Sequence, residues 1–285
     1  MNLELTHFLQ QFNHPAFLSF VKFLNFFDTP EFLFVLLPIV WVTFGKKRGL
    51  KFFYILLLSG ALNQLLKLAF HTPRPFIIDP SVGIIQVSGY SFPSGAAQTS
   101  ALLTSIVLYY WKNKIKWILA PTYWLMICFS RVYLGVHFLR DVIAGTLVGA
   151  LLLPVYIYIF PKIEKWFSKF TLRERFYLSS VSFLFLLLIS TSKSFVQLFS
   201  AALGLTVGYF LSESAHFKKQ PKSPLFKFAF EIPILILGLF LISIFAQKLP
   251  ISDFKTKLFT VSSLLGLWVG LTPTRLTLVW KKLIK

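Results

Sequence analysis

The first half of the chain carries three short motifs whose residue types suit the binding and transfer of a phosphoryl group. The first occupies residues 67–75, the second residues 93–96 and the third residues 130–141. Phosphoryl transfer requires positive charge around the phosphate oxygens, a nucleophile in line with the leaving group, and a proton for the leaving oxygen. The motifs supply the first two of these requirements.

Two kinds of anion-binding group occur in the motifs. Lys67, Arg74 and Arg131 carry positive charge, and the planar fork of an arginine can bind two phosphate oxygens at once. Ser94 and Gly95 stand where a helix is predicted to begin, and a helix N-terminus presents N–H groups and positive potential to an anion. We predict these five residues as the phosphate-binding set.

The third motif also contains a candidate nucleophile. His137 and Asp141 are four residues apart at the predicted start of a helix, which places them on one face. Asp141 can accept a hydrogen bond from one imidazole nitrogen, so that the other nitrogen stays unprotonated and free to attack phosphorus. The same carboxylate stabilises the cation that forms as the new bond develops.

In order and spacing, the three motifs resemble the signature of the type 2 phosphatidic acid phosphatase family, the integral-membrane lipid phosphate phosphatases. The resemblance covers roughly residues 25–160. It implies an all-α, polytopic membrane helix bundle in which His137 forms a phosphohistidine and Asp141 orients it. It also implies that no metal ion or other cofactor takes part, and that the phosphate is bound by Lys67, Arg74, Ser94, Gly95 and Arg131.

Ala96 departs from the family pattern, which has a histidine at this position as the expected general acid. Alanine cannot carry a proton, and loss of a general acid costs about 10²–10⁴ in rate for a lipid alcohol leaving group. The cost shrinks for a pyrophosphoryl lipid, whose leaving group departs readily as an anion. Either the histidine was replaced deliberately to trap substrate, or the chain is a natural relative that binds lipid phosphates without hydrolysing them. The retained His137 and Asp141 favour the first explanation.

Five further polar residues are weaker candidates. His71, Asp79, Gln98 and Arg140 lie in or near the motifs, and they are candidates either for a direct role in the site or for shaping the choice of substrate. Glu231, beside a proline, is interpreted as a residue near the membrane interface, with a functional intramembrane carboxylate as the alternative.

The composition indicates a polytopic membrane protein. Hydrophobic residues make up 56% of the 285 residues, the mean hydropathy is +0.71, and charged residues make up only 14%, against about 25% in soluble domains. The net charge of +19 resides in short loops between apolar runs, so we attribute it to membrane topology and not to nucleic-acid binding. The single cysteine, Cys128, excludes an intramolecular disulfide.

The apolar runs divide the chain into four predicted parts. Residues 1–28 are expected to form an interfacial amphipathic helix, or two short helices broken near Pro15. Residues 29–160 are predicted to form the phosphatase core, 161–175 a basic cytoplasmic linker, and 176–285 a C-terminal group of transmembrane helices. The predicted spans lie at about 29–45, 49–70, 94–112, 115–134, 136–160, 176–192, 194–211, 228–247 and 258–280.

Alternation of these spans places all three motifs at one membrane face. Most of the lysines and arginines lie in loops at the other face, including the loops near residues 46–51, 112–116 and 162–175. Because basic loops stay in the cytoplasm, the site is predicted to face away from it. The expected location is a bacterial inner membrane with the site toward the periplasm.

The sequence therefore predicts a membrane phosphatase that acts on a lipid phosphate monoester or pyrophosphate, here in a general-acid-deficient form. Its expected partners are the lipid substrate and the surrounding lipids, with no nucleic acid. Two alternatives stay open, namely a non-catalytic binder or transporter of lipid phosphates and a phosphotransferase that passes the group to a second lipid. The motifs do not choose among lipids, because they contact only the phosphate.

The topology can be tested with a reporter inserted beside Lys114. We expect a cytoplasmic signal, because this loop lies on the lysine-rich face. Measurement with paired reporters, one active only in the cytoplasm and one only outside it, gives the assignment. A matched insertion beside Gly83, between the first two motifs, should give the opposite signal, and reversal of both signals would overturn the orientation.

Overall fold

The computed structural model describes residues 3–188, 193–214 and 232–283, which form helices joined by turns. The predicted all-α fold of a membrane helix bundle is confirmed, and each predicted span corresponds to a helix within a few residues. Glu231 lies outside the described residues. The α-helices are α1 (Glu4–Gln10), α2 (Pro15–Leu24), α3 (Pro30–Phe44), α4 (Lys46–Phe70), α5 (Pro75–Ile78), α6 (Gly95–Tyr110), α7 (Lys116–Tyr133), α8 (Leu139–Pro154), α9 (Phe160–Phe167), α10 (Leu172–Leu188), α11 (Lys193–Ser214), α12 (Ile232–Gln247) and α13 (Phe254–Leu283).

Two helical stretches in the described residues are long and apolar enough to cross a membrane. They are Lys47–Ile78 and Leu139–Phe167, with mean hydropathies of 1.5 and 2.2. Shorter apolar helices occupy Pro15–Phe27, Val35–Phe44, Val196–Ser212 and Ile232–Gln247. The stretch Lys47–Ile78 contains the first motif near its end, and Leu139–Phe167 begins within the third motif.

The chain forms two compact units. The first contains Met1–Leu33 and Leu58–Pro161, and the second contains Phe34–Leu57 and Lys162–Lys285. All three motifs belong to the first unit. The boundaries at residues 28, 160 and 175, which separate the N-terminal helix, the phosphatase core, the basic linker and the C-terminal helices, stay a prediction.

In the first unit, α6 and α8 pack with their backbones in close contact. A Cβ atom at Gly145 would lie 2.3 Å from the carbonyl oxygen of Ser94, and one at Gly149 would lie 2.2 Å from that of Gln98. Small residues at such positions let membrane helices approach closely. The close approach holds the start of α6, with the second motif, against the start of α8, with the end of the third.

The N-terminal residues form two short helices separated before Pro15, which is the second of the two predicted arrangements. The Gln10 amide donates hydrogen bonds to the carbonyl oxygens of Val82 (2.9 Å) and Tyr133 (2.7 Å). The Tyr133 hydroxyl donates in return to the carbonyl oxygen of Phe12, at 3.0 Å. The N-terminal helices are therefore fastened to the end of α7, where the third motif begins.

In the second unit, glycines again mark a close helix contact. A Cβ atom at Gly204 of α11 would lie 1.9 Å from the carbonyl oxygen of Ser263 of α13, and one at Gly266 would lie 2.1 Å from that of Ala201. The two long helices therefore pack through small residues on both faces, as membrane helices commonly do.

The α6–α8 contact can be tested by Gly149→Ala. The added methyl would overlap the α6 backbone, so we expect a loss of about 1–3 kcal/mol of stability. Thermal unfolding in detergent micelles measures the effect. Ala150→Leu, at the exposed neighbouring position of α8, adds a larger group away from the contact and serves as the control. Equal unfolding temperatures for Gly149→Ala and the wild type would contradict the packing.

Candidate functional site

Arg74 is buried in the first unit and is held in place by hydrogen bonds. It immediately precedes α5, its side chain is only 4% exposed, and its guanidinium donates to three backbone carbonyl oxygens. Nε donates to Gly89 at 2.8 Å, one terminal nitrogen to Ser88 at 3.0 Å, and the other to Val136 at 3.0 Å. The first motif is thereby joined to the loop before the second motif and to the third.

The backbone after α7 turns sharply to bring His137 back to the end of that helix. Gly135 has a φ of +70°, and a Cβ there would lie 1.9 Å from the carbonyl oxygen of Val82. The N–H groups of Val136 and His137 then both approach the Arg131 carbonyl oxygen, at 3.2 and 3.3 Å. Glycine at position 135 is therefore required by both the backbone angle and the available space.

The two ring nitrogens of His137 face different partners. Nε2 lies 3.3 Å from a terminal nitrogen of Arg74, and Nδ1 lies 3.3 Å from the Ser91 hydroxyl. A guanidinium can only donate, so Nε2 accepts from Arg74 and carries no proton. The ring is therefore uncharged, which is the state that a nucleophilic imidazole requires.

Asp141 and His137 come together as predicted, but their contact runs through a third residue. Asp141 Oδ2 lies 3.7 Å from Nδ1 of His137, which is longer than a hydrogen bond. The Ser91 hydroxyl lies beside the pair and contacts both members, 3.3 Å from Nδ1 and donating to the same carboxylate oxygen at 2.5 Å. That oxygen also accepts the Phe138 N–H at 3.0 Å, which caps the start of α8.

The second motif begins α6 and is bound to the third motif. The Ser94 side chain caps the helix by accepting the Ala97 N–H at 3.4 Å, and its own N–H donates to the carbonyl oxygen of Asp141 at 2.9 Å. The N–H groups of Gly95 and Ala96 point out of this helix end, as they do at any α-helix N-terminus. The predicted anion-binding backbone therefore adjoins the His137–Asp141 pair.

Gln98 belongs to a buried hydrogen-bond network that contacts the second motif. Its amide nitrogen donates to the carbonyl oxygen and hydroxyl of Ser59, at 2.7 and 2.9 Å, and its oxygen accepts from the Asn63 amide at 2.9 Å. Asn63 also donates to the Pro93 carbonyl oxygen at 3.3 Å. This buried network ties α4, which carries Lys67, to the second motif, so Gln98 acts in positioning.

The remaining cations approach the site from two helix ends. Lys67 lies half-buried in the last turn of α4, and its charge acts on His137. Arg131 is buried at the end of α7, where Nε donates to the Ser130 hydroxyl at 3.1 Å and a terminal nitrogen donates to the Asn25 side chain at 2.9 Å. Asn25 comes from the N-terminal segment, and nothing in its sequence surroundings distinguishes it from an ordinary polar residue.

Ala96 is buried among apolar side chains. It is 3% exposed and packs with Leu24 and Ile127, and partly buried aromatic and methionine side chains surround that cluster. The surrounding side chains are Phe27, Tyr123 and Met126. The position at which the sequence predicts a missing general acid is therefore part of an apolar wall beside the start of α6.

The other weak candidates differ in the residues that they contact. The His71 ring lies against Tyr90 in an exposed turn, at 4.6 Å between ring centres. Asp79 accepts hydrogen bonds from Ser81 and lies 3.1 Å from His7. Arg140 is half-exposed, with Nε 3.7 Å from Asp141 Oδ1. Of the three, the contacts of Arg140 alone reach a predicted catalytic residue among the described side chains.

Parts of this chain are similar to known proteins. Residues 48–165 match the model of the PAP2 superfamily. The chain is 32% identical over 100 residues to phosphatidylglycerophosphatase B of Bacillus subtilis (strain 168), over 32% of this chain and 47% of that protein. It is 28% identical over 180 residues to undecaprenyl-diphosphatase BcrC of the same organism, over 61% of this chain and 91% of that protein. The crystal structure of Aquifex aeolicus LpxE aligns with a TM-score of 0.49 and 26% identity, over 55% of this chain and 94% of that one.

The match to phosphatidylglycerophosphatase B thus spans about half of that relative, whereas the match to the diphosphatase spans most of it. The family match contains all the motif residues, and residues 166–285 lie beyond it. Residues 48–165 of this chain are therefore similar to the PAP2 superfamily.

Proposed function

We propose that the chain is a membrane lipid phosphate phosphatase in which His137 is the nucleophile. The observation that carries the proposal is the environment of its ring. Nε2 faces the guanidinium of Arg74, which would bind the phosphate, and Nδ1 faces the Ser91–Asp141 pair. A buried, uncharged imidazole beside a fixed cation suits attack on a bound phosphoryl group.

In the proposed reaction, the phosphate oxygens bind between the side chains of Lys67, Arg74 and Arg131 and the N–H groups at the start of α6. Nε2 of His137 attacks phosphorus while the bond from phosphorus to the leaving oxygen breaks, giving a phosphohistidine. The ring becomes positively charged as the new bond forms, and the negative charge of Asp141 stabilises it. Water then attacks phosphorus, the P–N bond breaks, and inorganic phosphate leaves a neutral His137.

The apolar wall at Ala96 supports a proposal for the class of substrate. A lipid phosphate monoester must expel an alkoxide, which needs a proton, and no proton donor stands at position 96. A lipid diphosphate expels a lipid monophosphate, which is stable as an anion. We therefore infer that a lipid diphosphate is the preferred substrate and that monoester hydrolysis is impaired. The name of the relative undecaprenyl-diphosphatase BcrC supports this class.

The proposed site faces away from the cytoplasm, at the periplasmic side of a bacterial inner membrane. The end of α4, the start of α6, the end of α7 and the start of α8 meet at the site, as alternating spans require. The loops at the other ends of these helices are rich in lysine and arginine, and such loops stay in the cytoplasm.

The second candidate function is non-catalytic binding or transport of a lipid phosphate. The same apolar wall favours it, because a chain that only binds has no use for a general acid. In that case the site should bind lipid phosphates but release no inorganic phosphate, even after a histidine is introduced at position 96.

The leaving-group proposal is tested by comparing a lipid diphosphate with the corresponding monophosphate, for the wild type and Ala96→His. We expect the wild type to act on the diphosphate, and Ala96→His to raise monophosphate hydrolysis by about 10²–10⁴, because a proton donor is restored. Phosphate release in detergent micelles measures both. Ala96→Phe, which adds bulk without a proton, is the control. Binding without release in every variant would support the non-catalytic function instead.

The nucleophile is tested by trapping the intermediate with a substrate labelled in its terminal phosphate. Label should be retained on the wild-type protein after an alkaline quench, which preserves phosphohistidine, and should be absent in His137→Ala. Turnover should fall to background in the same variant, because the proposed nucleophile is removed. His71→Ala, at the exposed turn, should label normally. Retention of label in His137→Ala would remove His137 from its proposed role.

A further inference from the structure

Ser91 belongs to none of the three motifs but contacts both His137 and Asp141 of the third. It is fully buried, and its N–H donates to the Thr72 carbonyl oxygen at 2.8 Å, which fixes its backbone. Its hydroxyl oxygen lies 3.3 Å from Nδ1 of His137 and 2.5 Å from Oδ2 of Asp141. The Val136 carbonyl oxygen, at 3.5 Å, is a third and more distant neighbour.

The position of Arg74 determines where each proton in this group must lie. A guanidinium always donates, so Nε2 of His137, 3.3 Å from Arg74, must be the acceptor and carry no proton. The proton of the neutral ring is then on Nδ1, which donates to the Ser91 oxygen. The Ser91 proton is left to point at Asp141, whose short 2.5 Å contact fits a hydrogen bond to a carboxylate.

We propose that Ser91 is a positioning residue that transmits the charge of Asp141 to His137. The proposal rests on the function proposed above, in which His137 attacks phosphorus. As the P–N bond forms, the ring becomes positive and its Nδ1–H group donates more strongly to Ser91. The Ser91 hydroxyl in turn donates more strongly to Asp141, and chains of hydrogen bonds reinforce one another in this way.

Asp141 has little freedom to replace Ser91 by moving closer. Its Oδ2 already accepts the Phe138 N–H, and its backbone carbonyl oxygen accepts from Ser94. Both contacts fix the first turn of α8. Removal of the serine hydroxyl would therefore leave the carboxylate 3.7 Å from Nδ1, without the oxygen that contacts both.

The first test is turnover of a lipid diphosphate by full-length Ser91→Ala, with Ser100→Ala as the matched control. Ser100 is also buried, in α6, and its hydroxyl donates to the carbonyl oxygen of Ala97 within that helix. We expect Ser91→Ala to lower kcat by about 10- to 100-fold, the effect of losing a hydrogen bond to a charged group, with little change in KM. Ser100→Ala should turn over normally. Unchanged kcat in Ser91→Ala, or a loss confined to KM, would overturn the proposal.

A double-mutant cycle then separates transmission from simple packing. If Ser91 acts through Asp141, Ser91→Ala should cost less than about three-fold when added to Asp141→Asn, because the charge to be transmitted is already gone. An equal cost in both backgrounds would mean that Ser91 acts independently of Asp141, which would overturn the proposal.

A second readout does not depend on turnover. In ¹⁵N-histidine spectra of the full chain in detergent, with His137→Gln used for assignment, His137 should carry its proton on Nδ1. The signal of that proton should move upfield in Ser91→Ala, because its acceptor is lost. A proton on Nε2, or an unmoved signal, would overturn the role of Ser91 even if the phosphatase proposal holds. The expected spectra without turnover would support the hydrogen-bond chain and count against catalysis.

Discussion

The buried guanidinium of Arg74 is the interaction on which the rest of the site depends. A cation placed in an apolar bundle must be surrounded by acceptors, and here the acceptors are three backbone carbonyl oxygens. Because two of them come from residues 88–89 and one from Val136, satisfying this single side chain also fixes the loop before the second motif and the turn that carries His137. The same group then sets the tautomer of His137, since a guanidinium donates hydrogen bonds and cannot accept them.

Position 96 shows how one side chain can change the chemistry of a site without changing its geometry. The anion-binding helix start and the His137–Ser91–Asp141 group are all in place around an apolar residue. Under the function proposed above, such a site keeps its phosphate-binding groups and its nucleophile and differs from a complete site in the leaving groups it can release. The distinction between a selective enzyme and a binding protein then depends on the acidity of the product and not on the arrangement of the site.

Much of this arrangement follows from the sequence. The apolar runs predict the helices, and their alternation predicts that Lys67, Arg74, Ser94, Arg131, His137 and Asp141 meet at one end. Local pattern does not predict Ser91, Asn25 or Asn63, because each is an ordinary polar residue whose role comes from a partner distant in sequence. Asn25, for example, meets Arg131 across 106 positions. The hydrogen bond expected between His137 and Asp141 rests on spacing, and helical spacing cannot show that a side chain from another segment bonds to both neighbours.

The bond between Asn25 and Arg131 also makes the third motif depend on a segment that carries none of the motifs. Arg131 is buried, so its charged side chain needs hydrogen-bond acceptors, and one of them is the Asn25 side-chain oxygen, 106 positions earlier. A change that displaces the N-terminal helices therefore removes an acceptor from a buried cation of the site. Substitutions near Asn25 should then disturb the site although they lie far from it in sequence.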